Sequence, residues 1–364
     1  MLSRFPGRRT EIVVTLGPVS ESRSCIDSMV RAGVDVVRLS MSNGTRAQHE
    51  AAVRNVREIA AEVGRPVRLL ADLQARKNRL GALAGGQAEW MPGEAVVLSA
   101  APTELASHGT WMTFPWVPDR LRPDAKVLID DGSVVLSVTD ASASELRCVV
   151  IQGGMVTSGR GVSIPGATSV PPGLTDRDAD DLEFSRALGV ELIALSFASS
   201  AADYEEVHAL APDQMIIGKI ESSHAMSSLP EMAIAFDGLM VARGDLAVEI
   251  PFEEVPMAQK RIVAECENRD KFSIVATQLL HSMRHSALPT RAEVSDIANA
   301  VLDGANALMV TGETGYGRHP VRVVEVLRKV IVRAEQYQDE VSGTPSGSGS
   351  NSRQERGMNG AANV

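Results

Sequence analysis

Apolar residues in this chain gather into eight short runs with little polar interruption: EIVVTLG from Glu11, VDVVRLS from Val34, PVRLLADL from Pro66, ELIALSFAS from Glu191, QMIIGKIE from Gln214, DGLMVARGD from Asp237, FSIVATQ from Phe272 and ALMVTGE from Ala307. Continuous rather than alternating apolar character is what parallel strands covered on both faces require. Between the runs lie amphipathic stretches at helical spacing, among them Ser24 to Ala32, Gln48 to Val63, Asp176 to Leu188, Val255 to Asn268 and Arg291 to Asp303. Eight strand–helix units in series predict an α/β chain folded as a (β/α)8 TIM barrel.

One gap breaks the rhythm. Between Leu73 and about Ser163 the pattern shifts to short alternating segments, IDDGSVVLSV and ELRCVVIQGG, punctuated by Gly85-Gly86, Pro92-Gly93, Pro115 and Pro118. That pattern predicts a small antiparallel, β-barrel-like domain inserted after the third barrel strand. The expected organisation is barrel over 1–74, inserted β domain over 75–162, and barrel again over 163–340. The insertion springs from the face where such barrels carry their chemistry, so it can serve as a lid. A last helix is expected over roughly Val321 to Gln338, and the Ser/Gly/Asn-rich stretch 341–364 is expected to be disordered.

Composition narrows the function. With 364 residues, 44% hydrophobic, the chain can bury a large core and exceeds one average domain. Its 46 acidic against 36 basic residues, a formal charge of −10, argue against nonspecific binding to nucleic acid or anionic membranes. An anionic substrate therefore needs locally gathered positive charge. Cys25, Cys148 and Cys266 form neither a CxxC spacing nor an even disulfide set, and the apolar run near the start breaks at Gly17-Pro18. A reducing cytoplasm is the simpler expectation.

In a (β/α)8 barrel the chemistry sits at the C-terminal ends of the strands. Those ends carry Arg38, Asp72, Lys219 with Glu221, Arg243-Gly244-Asp245, Thr277, and Thr311 with Glu313. Lys219 and Glu221 are two apart on a strand and so point to one side. If that side is the interior, Asp245 on the next strand can join Glu221 as a pair of hard oxygen ligands for Mg²⁺, with phosphate and water filling the other positions. Gly244 lets the backbone approach a ligand closely, and Arg38 and Lys219 bring positive charge to a phosphoryl group in transfer. A single Arg or Asp at a strand end is more often ion-paired than catalytic, a Lys-x-Glu pair can be a buried salt bridge, and Thr277 alone can be a simple β-former. The same position recurring on successive strands favours a built site for a small phosphorylated carboxylic acid. The histidines at 49, 208, 224, 281, 285 and 319 show no ligand spacing and read as surface or helix residues. Met226, Met232, Met257 and Met283 read as core filler. GETGYG, from Gly312, resembles a glycine-rich phosphate loop only loosely.

The segments TEIVVTLGP, GVDVVRLSMSNGT, IDDG, GVSIPG, IIGKIES, DGLMVARGDLAVEIP, VATQLLHSM, PTRAEVSDIANAVLDGANALMVTGET and HPV resemble the pyruvate kinase family in order and separation, from about Thr10 to Ala334. The resemblance implies a barrel with a mobile β domain after strand 3. It also implies phosphoryl transfer from phosphoenolpyruvate to ADP, giving pyruvate and ATP. On that basis Lys219 stabilises the phosphoryl group, Glu221 and Asp245 hold Mg²⁺ or Mn²⁺, and Arg38 contacts the phosphate. The Gly244 and Asp245 amides with Thr277 hold the carboxylate, Thr277 joins a proton relay to the enolate, and Arg79 and Arg160 serve the nucleotide. A homodimer through the barrel is the expected assembly.

Departures from the family pattern sharpen the expectation. Where the family commonly has Asp-Thr-Lys-Gly-Pro-Glu-Ile-Arg, this chain has DLQARKNR, with Leu73 and Lys77 in place of Thr and Glu. This resembles a potassium-independent subgroup in which the Lys77 ammonium substitutes for K⁺, a tethered +1 charge for a bound one. Ser40, Asn43, Ala75-Arg76 and Gly159 depart from the family on the nucleotide side. Most family members continue into a C-terminal domain with effector sites, so regulation there is not expected. The alternative is a relative acting on another acceptor, or a noncatalytic protein that binds phosphoenolpyruvate or an oxo-acid.

Overall fold

The computed structural model describes residues 7–74, 78–100, 109–112, 121–122, 124–130, 132–165 and 174–342. In chain order the strands and helices begin β1 (Glu11–Thr15), α1 (Arg23–Ala32), β2 (Val36–Ser40), α2 (Arg46–Val63) and β3 (Arg68–Asp72). A run of short strands follows: β4 (Gln87–Trp90), β5 (Ala95–Ser99), β6 (Gly109–Trp111), β7 (Lys126–Ile129), β8 (Val134–Ala141), β9 (Glu145–Gln152), β10 (Gly154–Thr157) and β11 (Val162–Ser163). Strand–helix alternation then resumes with α3 (Asp176–Ala187), β12 (Leu192–Leu195), α4 (Ala201–Leu210), β13 (Met215–Ile220), α5 (Ser223–Ser227) and α6 (Leu229–Ala235). It continues with β14 (Gly238–Ala242), α7 (Arg243–Glu249), α8 (Val255–Glu267), β15 (Phe272–Ala276), α9 (Arg291–Leu302), β16 (Ala307–Val310), α10 (Gly312–Gly315) and α11 (Pro320–Ser342).

The eight apolar runs are the eight parallel strands of a closed barrel, in the order β1-β16-β15-β14-β13-β12-β3-β2. Their unbroken hydrophobicity has a direct cause. Val13, Val36, Leu70, Ile217, Met240 and Ile274 pack together in one cluster, whereas their strand neighbours Ile12, Val37, Leu69, Ile216, Leu239 and Val275 pack into another with the helices. Both faces of each strand are therefore buried. The helices begin where side chains satisfy their free amides: Thr45 with Gln48, Thr175 with Asp178, and Thr290 with Glu293 each form reciprocal capping pairs on α2, α3 and α9.

Strands β4 to β11 form a second body with its own apolar core around Trp90, Leu98, Val127 and Leu136, all fully buried. Six of them make a mostly antiparallel sheet in the order β11-β7-β8-β9-β5-β6, beside the ribbon β10-β4. The segment Asn78–Gly81 links the two edge strands. Arg79 bridges to Gly161, next to β11, and Leu80 to Met112, next to β6, with Leu80 N–H donating to Arg160 O at 2.8 Å and Gly81 N–H to Trp111 O at 2.7 Å. That link curls the sheet toward closure and leaves fewer free edges.

Several details differ from the sequence expectations. Strand β14 ends at Ala242, and Arg243-Gly244-Asp245 opens α7. Met257 is not core filler: it is 50% exposed on α8, whose buried side is Val255, Ala258, Ile262 and Val263. The final helix runs to Ser342; its buried side reaches Ile331, Ala334 and Glu335, and beyond these Tyr337 and Val341 are exposed. The tail from residue 343 onward, Pro115, Pro118 and Lys77 lie outside the described residues. Among the described residues no helix is long and apolar enough to cross a membrane.

The barrel wall has no room at Gly238, where a Cβ would stand 2.4 Å from the Phe272 carbonyl oxygen and 2.8 Å from Ile217 Cδ1. Replacing Gly238 by Ala is expected to destabilise the fold by about 1–3 kcal/mol. A fall in the urea midpoint without a change in slope would show it; an unchanged midpoint would mean that the β14–β15 pair yields freely.

Candidate active site

The interior face of the barrel changes chemistry in its last layer. Two residues beyond interior-facing Val13, Val36, Leu70, Ala194 and Ile217 stand Thr15, Arg38, Asp72, Ser196 and Lys219. The strand period of two carries each of these side chains to the same side as its apolar predecessor. An apolar plug thus ends in a polar, charged surface at the C-terminal mouth.

Lys219 is 9% exposed and has three acceptors for its three protons: Ser196 Oγ at 2.7 Å, Glu221 Oε1 at 3.0 Å and Asp72 Oδ1 at 3.2 Å. Arg38 lies across the same carboxylate, with Nε and Nη2 each 2.7 Å from Asp72 Oδ2, and donates from Nη1 to Thr15 Oγ1 at 3.1 Å. Glu221, 1% exposed, accepts from the Phe197 amide at 2.6 Å. Phe197 holds a positive φ of 53°, an unfavourable conformation for a bulky residue, at the point where its N–H meets the carboxylate.

The charges of this cluster are strongly coupled. Burial lowers the Lys219 ammonium's affinity for its proton, but Asp72, Glu221 and Asp245 more than reverse this and leave its pKa raised. Burial alone would raise Asp72, yet Lys219 and Arg38 hold its carboxyl below the usual range. Burial pushes Glu221 up to about 7, with Asp245 and Asp72 adding to the push against Lys219 and the Phe197 amide. Three carboxylates, Asp72, Glu221 and Asp245, thus face two cations, Lys219 and Arg38, which leaves one formal negative charge in excess. This donor set fits a divalent cation, whose charge would relieve the pressure on Glu221. Among the described residues no group of three or more His, Cys, Asp or Glu is placed to hold a metal ion, so the fit rests on Glu221 and Asp245 alone.

Thr277 forms the opposite wall. Its Oγ1 accepts from the Gly244 amide at 2.9 Å, so the expected Gly244–Thr277 pair does come together, with the amide engaged by the hydroxyl. Thr277 and Gln278 have φ of 71° and 55°, a strained turn for a β-branched residue. Arg243 holds that turn: Nη2 donates to Thr277 O at 2.6 Å and Nε to Ala276 O at 3.2 Å, while Nη1 pairs with Asp296 at 2.7 Å. Arg243 therefore faces the β15–α9 side and braces the site from behind. Gly244, Asp245 and Thr277 line a cleft of about 260 Å³ with Thr311, Gly312 and Glu313.

Arg79 and Arg160, expected to serve the nucleotide, lie on the inserted body. Arg79 donates to Gly159 O at 3.0 Å, and Arg160 pairs with Asp130 at 3.2 Å. Asn43 donates to Ser40 Oγ at 3.1 Å, closing the turn after β2. GETGYG is a packing turn. Thr314 Oγ1 donates to Thr15 O at 2.9 Å, and Glu313 turns inward to accept from the Leu280 and Thr311 amides at 3.3 and 2.9 Å. Sequence reasoning assigned no part to Ser196, Phe197 or Arg243. Ser196 carried a signal, its two-residue spacing from Ala194, whereas the Phe197 amide carried none.

Comparison with known proteins agrees with this architecture. A family model for the pyruvate kinase barrel domain matches residues 7–324. Pyruvate kinase of Mycobacterium intracellulare is 43% identical over 333 residues, covering 90% of this chain and 70% of that protein. Pyruvate kinase of Corynebacterium efficiens is 43% identical over 332 residues with the same coverage, and that of Geobacillus stearothermophilus is 39% identical over 336 residues, 90% of this chain and 57% of that protein. A barrel whose last interior layer holds a lysine among carboxylates, matched at this identity over nine-tenths of its length, places the chain in the pyruvate kinase family as a phosphotransferase of that type.

Proposed function

We propose that this protein transfers the phosphoryl group of phosphoenolpyruvate to ADP, yielding pyruvate and ATP, with Mg²⁺ or Mn²⁺ and without a requirement for K⁺. The observation that carries this reading is Lys219, buried yet fully hydrogen-bonded at the barrel mouth within reach of Glu221 and Asp72. A lysine kept charged there is preorganised to meet negative charge that develops on a transferring phosphoryl group.

In this reading Lys219 and Arg38 receive the phosphate oxygens, with Asp72 and Ser196 holding both cations in position. Glu221 and Asp245 would hold a divalent ion, which would supply Lewis-acid charge to the phosphoryl oxygens. The Gly244 and Asp245 amides and the Thr277 hydroxyl receive the carboxylate once Thr277 releases its bond from Gly244. Thr277 also belongs to the relay that returns a proton to the enolate; a hydroxyl alone is a weak acid near neutral pH, so water completes the chain. Arg79 and Arg160 meet the nucleotide phosphates when the inserted body, residues 75–162, closes over the mouth as a lid. Lys77 stands in for K⁺ by the charge argument. We also propose a cytoplasmic homodimer associating through the barrel.

The second reading, a relative with a different phosphoryl acceptor, is favoured by Arg160, whose guanidinium is already engaged by Asp130 and Thr157. A screen of nucleoside diphosphates with phosphoenolpyruvate and Mg²⁺, followed by pyruvate detection, decides between them: turnover with ADP supports the first, and substrate binding without turnover removes it.

Replacing Lys219 by Met is expected to lower kcat by a factor on the order of 10² to 10³ while the far-UV spectrum stays native; an unchanged kcat refutes its role. Arg243→Leu is expected to raise KM for phosphoenolpyruvate and lower kcat together, because the Thr277 turn loses its brace, with Arg243→Lys recovering only part. Both effects are read from steady-state kinetics, and a pure stability loss with intact kinetics would count against this positioning. Omitting K⁺ from a Na⁺-free assay is expected to leave turnover unchanged, and Lys77→Glu to make it K⁺-dependent. Strong K⁺ activation of the unmodified chain excludes the substitution argument.

A further inference from the structure

The cleft beside Thr277 carries two basic side chains that the phosphotransfer reading leaves unused, Arg284 and His281. Both belong to the tight helical turn His281–Arg284 that follows β15. Arg284 has no acidic partner among the described residues, and its Nε is buried without an acceptor. Glu313, a carboxylate in the same lining, is 2% exposed and directs its oxygens to the Leu280 and Thr311 amides, and it forms no ion pair with Arg284. The guanidinium lies against the bare Cα of Gly312, where a Cβ would come within 3.4 Å of Nε and 3.6 Å of Cζ. A positioned guanidinium beside threonine hydroxyls, in a cleft adjoining the Gly244–Thr277 pair, is the chemistry of carboxylate recognition.

We propose that this cleft is a second anion subsite and that the site binds short-chain dicarboxylates, one carboxylate at Gly244 and Thr277 and the other on Arg284, with His281 at the rim. The proposal rests on the reading that places a substrate carboxylate at Gly244 and Thr277. A cleft of about 260 Å³ suits a chain of three or four carbons better than a larger acid. A dicarboxylate seated this way occupies the position of the phosphoenolpyruvate carboxylate, so the two ligands exclude one another. The site then responds to the level of small diacids through a group that takes no part in phosphoryl transfer.

Calorimetric titration of the full chain with malonate, succinate and acetate in the presence of Mg²⁺ tests this without relying on turnover. The expected result is malonate or succinate binding roughly 10- to 100-fold tighter than acetate, the advantage of one added charge-assisted contact. Phosphoenolpyruvate should displace the diacid. Arg284→Gln should reduce diacid affinity to the acetate level. Equal binding of acetate and both diacids by the unmodified chain overturns the proposal whatever the variant does, and so does undiminished diacid binding in Arg284→Gln. Turnover of phosphoenolpyruvate with ADP is measured on the same preparation. Diacid preference without turnover removes the proposed function alone, and turnover without diacid preference removes the subsite alone.

Discussion

The structure turns on a lysine that the barrel buries in company. Lys219 has an acceptor for each proton, and two of the three are carboxylates that Arg38 and the Phe197 amide hold from the other side. Removing one member of such a buried set typically costs about 3–5 kcal/mol, because its partners are left charged and unpaired away from water. The cluster is therefore most stable as a whole. Its members stand on four neighbouring strands, Arg38 on β2, Asp72 on β3, Ser196 just beyond β12 and Lys219 on β13, and closure of the barrel is what buries them together. An open sheet with the same strands would leave those charges in water, weakly coupled and poorly aimed.

Strain is concentrated at the edges of this cluster. Phe197 and Thr277, both with positive φ, stand at opposite sides of the mouth and each presents a hydrogen-bonding group to it. Their conformations persist because the surroundings over-determine them: Arg243 grips two successive carbonyls of the Thr277 turn and is itself tied to Asp296. The adjacent Arg284 lies beside Gly312 and has no acidic partner among the described residues. The contrast separates an arginine that braces the site from one that no ion pair engages.

The inserted body shows how a separate core is tied to that mouth. Its apolar cluster shares no member with those of the barrel, and the chain segment Asn78–Gly81, just past β3, links both edges of its sheet. Ser163 on β11 donates to Glu249 at the end of α7, the helix that opens with Gly244 and Asp245. The contact ties the insertion to the element that carries two of the site's residues.

Much of this was legible before any coordinates. Eight unbroken apolar runs predicted eight strands because parallel strands with two buried faces have no polar face to reveal. The two-residue strand period placed Lys219 and Glu221 on one side, and the polar residues at the strand ends pointed to one mouth. What the linear chain could not carry was anything decided by residues far apart in it. Asp72 and Lys219 are 147 positions apart, and nothing local marks them as partners. The Phe197 amide is a backbone group with no residue-type signature, and nothing local in Arg243-Gly244-Asp245 says that packing turns Arg243 toward Asp296. Side-chain chemistry and periodicity are written in the sequence, whereas which charges share a low-dielectric space, and which way each points, is settled only when the barrel closes.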